Sequence, residues 1–432
     1  MGIFETFGIL LGSIGSLYDR GGWLLLLLAG LYMLWEMFRM YNNNVKYNSI
    51  KWVTLSIDVP KENEQTLLAA EQIFAQLHAI YPSITFYEKY FLGKEILWFT
   101  FEIVSFGGQI KFLAYLPEQY RNLMEVAVYA QYPDAEIKQV EDYMKNVPQY
   151  QHGKSYYEIW GTDFKTKKED AYPIRTYKFF EHQASQVIVD PLAGILEALS
   201  NIKPYEMLAV QYLFRPADDK WKEAAKRLIK KLKQEKPVSS KSNAFTDIAS
   251  GVADGIMDIP VQGPGPDAKP KKQEIVPLSM MMHLAPGEKD TIAAIEASIG
   301  KIGYHTKVRL MYLAPKERFV KETRTQLVGA FRQFDDINLN GLKPDTKKTW
   351  TGINPKVFGP IEKPFINYLV KKRKKRMVRN FKSRKFAMGS KPFVLNIEEA
   401  ATIFHFPLIN VKAPQITKAE SKKAEAPINL PI

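Results

Sequence analysis

No cysteine occurs in the 432 residues. Disulfides, thiolate metal sites and cysteine nucleophiles are excluded together, and the absence fits a reducing compartment. Histidine is scarce, and His78, His152, His182, His283, His305 and His405 stand at no metal-ligand spacing. HExxH, GxSxG and GxGxxG stretches are missing, as is a GxxxxGK phosphate loop followed by Ser or Thr. The Gly263–Lys272 stretch GPGPDAKPKK is glycine-bearing, but its prolines remove the N–H donors that would cradle a phosphate. GKIGYHTK, from Gly300 to Lys307, lacks the loop's glycine spacing. The carboxylate pairs Asp335-Asp336 and Glu398-Glu399 are adjacent and read as a solvated turn and a helix start. The expectation is a chain that is not an enzyme, with no metal, no cofactor and no small-molecule substrate.

What is abundant is positive charge in one place. Lys plus Arg number 60 against 46 Asp plus Glu, a net charge of +14. Ten of those cations lie between Lys371 and Lys385 with no acidic residue among them, so most of the excess is a local feature.

The most apolar window is GGWLLLLLAGLYMLWEMFRM, Gly21 to Met40. At about 1.5 Å per residue, its roughly 20 residues just cross a ~30 Å hydrocarbon layer. We place a transmembrane helix over 21–42, with Trp23, Leu24, Leu25, Leu26, Tyr32 and Trp35 as anchoring side chains. A cleaved signal peptide fits poorly, because no basic region precedes the run and no small-residue cleavage site follows it. A buried globular helix is the plain alternative. Arg39, Lys46 and Lys51 follow the run, which puts the C-terminal body on the cytoplasmic side. Residues 1–20 form an apolar, glycine-interrupted segment suited to lying along a membrane surface.

The body reads as α+β. Val53 to Val59 alternates as a half-buried strand, and Leu67, Ala70, Phe74 and Leu77 recur at helical spacing. The run from Glu95 to Pro117 reads as a hairpin turning at Gly107-Gly108. A helix over Glu118–Tyr132 and a strand over Ala135–Val140 complete βαββαβ, a ferredoxin-like domain over 50–145. A second α+β domain is placed at 150–345, interrupted by a Pro-, Gly- and Ser-rich insertion over 234–274 with a short helix at Phe245–Met257. Strand-Pro-helix phrases at Pro117, Pro216 and Pro315 form a weak internal echo.

A basic helix and connector take 346–407. On that helix Val370, Met377 and Phe381 share a face, and Lys371, Lys372, Arg373, Lys374, Lys375, Arg376, Arg379, Lys382, Arg384 and Lys385 cover the rest. Three readings stay open for these cations: anionic lipid headgroups, a nucleic-acid backbone, or a solvated tether. Asn396 is placed to cap a helix beginning Glu398-Glu399, which Pro407 ends; His405 reads as a packed histidine. An extended tail fills 408–432.

The phrases FVLNIEEAATIFHFP and SKKAEAPINLP resemble the connector before the motor domain of membrane-anchored conjugation-type ATPases. These belong to the type IV secretion class of small-genome, uncultured bacterial lineages. WVTLSIDVPKENEQTLLAAEQIFAQLHAI and YYEIWGTDFKTKKEDAYPIRTY are similar to the N-terminal region of the same proteins. The resemblance runs from the anchor to Ile432. It implies a membrane-tethered platform at a bacterial inner membrane, contacting lipids and forming a homo-oligomer. Three readings stay open for the motor: a separate translocation ATPase that the platform docks, a motor lost from a truncated product, or a platform working alone as a structural component. Here no motor domain follows, so no nucleotide-binding residue can be carried over. The ending from Ile416 to Ile432 reads as a seam where such a domain would begin.

Overall fold

The alternation around Val53 becomes strand β1 (Trp52–Asp58) in the computed structural model, which describes residues 21–60, 65–147, 150–151, 155–180, 189–234, 285–352, 359 and 363–408. Both faces of β1 are buried rather than one, because the sheet it joins is covered on both sides.

Helix α1 (Trp23–Ser49) precedes it. After β1 come α2 (Leu67–Leu77), the short α3 (Phe86–Tyr90), β2 (Phe99–Phe106), β3 (Gln109–Pro117), α4 (Arg121–Tyr129) and β4 (Glu136–Val140). The β2–β3 turn falls at Gly107-Gly108, both with positive φ, as the sequence predicts. The chain then gives β5 (Tyr157–Thr166), α5 (Ala193–Ser200), β6 (Met207–Pro216), α6 (Lys220–Gln234), α7 (Pro286–Ile299), β7 (Gly303–Pro315), α8 (Lys321–Ala330) and β8 (Leu342–Pro344). It closes with α9 (Lys363–Ser383), β9 (Phe393–Asn396) and α10 (Ile397–Ile403). The expected segment at 1–20, all of the 408–432 tail beyond Leu408, the helix at Phe245–Met257 and nearly all of the 234–274 insertion lie outside the described residues.

All strands pair antiparallel in one sheet, in the order β4-β1-β3-β2-β6-β7-β5-β8, with β9 beside the start of β7. That order holds an internal repeat. Numbered within its own half, each set of four strands reads 4-1-3-2, and the halves meet where β2 pairs β6 over eight residues, Phe99↔Phe214 to Phe106↔Met207. Pro117 and Pro315 end equivalent strands, whereas Pro216 ends the equivalent of β2. Two of the three echoes are thus structurally matched. One apolar core also spans both halves, so the boundary placed near residue 145 divides two parts of one sheet. The physical reason is that β2 and β6, each an open edge of its own half, satisfy each other's backbone groups.

On one face the core is built by Phe74 of α2, Met124 of α4, Leu196 of α5, Leu327 of α8 and Ile403 of α10. The opposite face carries α9, whose Val378 and Phe381 pack on Val104, Ile159, Ala209 and Met311. Gly161 of β5 permits that approach: a Cβ there would lie 2.7 Å from Met377 Cγ and 2.8 Å from the Leu310 carbonyl.

The connector is core, not linker. Asn396 caps α10, its side chain accepting from Glu399 N at 2.9 Å while Glu399 accepts from Asn396 N at 2.9 Å. Burial pushes the Glu399 carboxyl up to about 8. His405 is a packed histidine, with Nε2 2.9 Å from Asp190 Oδ1 and Nδ1 2.9 Å from the Ala401 carbonyl.

Candidate functional site

Two features concentrate unusual chemistry: the helix apolar enough to cross a membrane, and the basic helix. α1 runs 27 residues without a break, about 40 Å. Trp23, Leu24, Leu25, Leu26 and Tyr32 are exposed, as a membrane-facing surface requires, and among the described residues α1 alone is long and apolar enough to span. Trp35 differs, because it packs on the body: its ring lies 6.5 Å from Tyr90 and 5.4 Å from Phe91. The contact continues down the helix. Asn42 Nδ2 donates to the Phe91 carbonyl at 2.9 Å and Asn43 Nδ2 to Glu95 Oε1 at 2.8 Å. Tyr47 stacks on Trp98 at 5.8 Å and 11°. Gly93, at φ +62, lies so close to Asn42 and Asn43 that a Cβ would fall 2.5 Å from the Asn42 carbonyl carbon.

The basic helix divides its cations between two jobs. Arg384 is not on its surface. It lies just past the helix end at φ +50, fully buried, and joins two carboxylates. Its Nε donates to Glu102 Oε1 at 2.6 Å, and Nη1 and Nη2 donate to Asp142 Oδ2 and Oδ1, both at 2.8 Å. Burial pulls its pKa down, yet Glu102, Tyr143 and Asp142 together hold it well above the ordinary guanidinium value. Arg373 donates to the Trp350 carbonyl at 2.8 Å, the Thr346 carbonyl at 3.1 Å and the Lys347 carbonyl. Lys374 pairs with Glu158 at 2.5 Å. Lys385 lies 4.4 Å over the Tyr47 ring, and Lys382 is half-buried. The expectation that all ten cations form one binding surface is corrected: Arg373, Lys374, Arg384 and Lys385 are spent inside the fold. Arg384 and Lys374 reach carboxylates more than 200 residues away, Arg373 reaches carbonyls of the turn 23–27 residues upstream, and Lys385 meets a ring of α1.

A row across four strands explains how the end of α9 is held. Glu102, Gln211, Arg309 and Asp163 stand directly opposite one another on β2, β6, β7 and β5, under the helix. The last carbonyls of a helix have no partner within it. Here Gln211 Nε2 donates to the Phe381 carbonyl at 3.0 Å, and Arg309 Nη1 to that of Asn380 at 3.1 Å. Lys307 Nζ donates to the Met388 carbonyl at 3.0 Å, and burial draws its pKa down to about 7. Asp163 faces Arg309 at 3.6 Å, and burial pushes its carboxyl up despite that cation.

Apart from half-buried Lys382, the other cations, Lys371, Lys372, Lys375, Arg376 and Arg379, are exposed and form no ion pair among the described residues. Their spacing places them on one side of α9, opposite Met377 and Phe381. Lys347 and Lys348, missed by the sequence reading, extend this face. With Lys372, Arg373 and Arg376 they line a cleft of about 320 Å³ to which, among the described residues, no carboxylate contributes. The signal for them was faint, two lysines after Asp345-Thr346 in a turn 24 residues upstream of the helix cations.

Residues 41–419 match the family described as "Domain of unknown function (DUF8128)". No curated protein matches the chain significantly.

Proposed function

The chain belongs to the DUF8128 family, and we propose that it is a noncatalytic, membrane-anchored platform of a type IV secretion or conjugation-like envelope machine that docks a separate translocation ATPase. The observation that carries this reading is the joint between anchor and body. α1 continues unbroken from its apolar part into contacts at Trp35, Asn42, Asn43 and Tyr47. A helix locked in this way fixes the orientation of the body against the bilayer, which a docking platform needs and a flexible tether does not provide. The body on the cytoplasmic side of a bacterial inner membrane, and a ferredoxin-like identity for each half of the sheet, belong to the same proposal. Purification of the chain in a mild detergent, with mass spectrometry of what accompanies it, is expected to return a P-loop ATPase of the translocation class. Recovery of the chain alone overturns the docking role.

The exposed half of the basic helix favours a second reading, a nucleic-acid-binding face. Replacing Lys371, Lys372, Lys375, Arg376 and Arg379 together by Gln is expected to weaken binding to a DNA duplex at least about tenfold at low salt, with a shallower salt dependence. The fold is expected to survive, because none of the five contributes to the core. Unchanged DNA affinity in this variant removes the reading.

A further inference from the structure

The segment from α3 to Leu92 is rich in aromatic rings that the body does not cover. Phe86 is 70% exposed, Tyr87 60% and Leu92 51%. Phe86 and Tyr90 lie 4.5 Å apart, and Tyr87 and Phe91 5.3 Å, and Trp35 of α1 joins the two pairs through Tyr90 and Phe91. The charge on α3's first turn is internally paired, Glu88 with Lys94 at 2.7 Å.

Its position decides what can cover it. The backbone of this segment meets α1 at Asn42, while the rings of Tyr90 and Phe91 reach Trp35, two turns nearer the membrane. The apolar window of α1 ends at Met40. Trp35 is five residues inside that end, about 7–8 Å at 1.5 Å per residue. Peripheral amphipathic segments bury their apolar side about 5–10 Å into the headgroup and acyl boundary. The rings of Tyr90 and Phe91 therefore stand at the interfacial depth that aromatic side chains favour, and Phe86 and Tyr87 pack against them.

We propose that residues 86–92 are an interfacial foot, their aromatic side chains seated in the headgroup and outer acyl region of the leaflet through which α1 reaches the body. The inference rests on α1 spanning a bilayer. The foot and α1 give the body two points of attachment, which oppose tilting about the single helix.

The absence of cysteine makes the test direct. Single cysteines at Leu28, Tyr87 and Leu92, all exposed positions, are labelled with an environment-sensitive fluorophore. Each full-length variant is reconstituted in phosphatidylcholine–phosphatidylglycerol vesicles carrying nitroxide lipids. Quenching at L28C reports the span. Quenching at Y87C and L92C of at least about twofold by shallow-nitroxide lipids, against little by a water-soluble quencher, is expected of an interfacial foot. If L28C is quenched while Y87C and L92C answer only to the aqueous quencher, the foot is overturned and the span stands. If L28C itself is not quenched by lipid, the span fails and the foot with it. Labels shielded from both quenchers at Y87C and L92C mean a second protein copy covers the patch, which also overturns the foot.

Discussion

Arg384→Ala is expected to lower the unfolding free energy of the body by about 3–5 kcal/mol, the cost of leaving a buried carboxylate without its cation. Glu102 is fully buried and makes two bonds to this guanidinium, at 2.6 and 3.2 Å. Its remaining donors, Tyr143 Oη at 2.6 Å and Gln211 Nε2 at 3.1 Å, are neutral. The Arg384 carbonyl also accepts from Trp98 Nε1 at 2.9 Å, which ties the end of α9 to the aromatic group that receives α1. With total stability of about 5–15 kcal/mol for a domain, the loss is a large share. Urea unfolding in detergent is expected to show a lower midpoint at unchanged slope. Arg384→Lys is expected to recover only part, since one ammonium cannot bridge Glu102 and Asp142 bidentately. Arg384→Met combined with Glu102→Leu is expected to cost less than Arg384→Ala alone, because no carboxylate is then left bare in the network's centre. Arg379→Ala, at an exposed position, serves as the control and is expected to stay within about 0.5 kcal/mol. A cost below about 1 kcal/mol for Arg384→Ala contradicts the role given to the network.

Arg384 also shows where sequence reading reaches its limit. The basic run declares a helix and a charged surface, both of which are local properties. Its partners Glu102 and Asp142 are 282 and 242 residues away. No spacing rule links them, and the run looks uniform. For Arg373 and Lys374 a clue was present: they stand four and three residues before Met377, on the buried side of the helix. The locally encoded features were legible, namely the alternation of β1, the glycine turn of the β2–β3 hairpin and the Asn396 cap. The pairing of β2 with β6 was not, because two apolar strands give no sign of which edge each will seek. The foot at residues 86–92 was missed for a similar reason. FYEKYFL is too short for a periodicity argument, and only the docking of α1 gives its exposed rings a depth.

Phe404→Ala is expected to destabilise the body by about 3–5 kcal/mol, the range for emptying a buried aromatic site. Phe404 is nearly inaccessible and stacks on Phe101 at 4.2 Å and 7°, with Tyr212 at 5.7 Å and Phe112 at 6.3 Å. Those three rings come from β2, β6 and β3, so the cavity would open beneath the seam where the two halves join. The expected urea midpoint falls as for Arg384→Ala, although the two residues act on opposite faces of the sheet. Phe404→Leu, which keeps much of the volume, is expected to recover more than half of the loss. The outcome bears on how the connector phrase is understood. FVLNIEEAATIFHFP reads in sequence as a connector, and in this fold Phe393, Leu395, Ala400, Ile403, Phe404 and Phe406 of that phrase are core. A large loss at Phe404 means that its pattern is explained by packing against β2, β6 and α2. A loss below about 1 kcal/mol would mean that the segment is only loosely held, and free to serve as a linker.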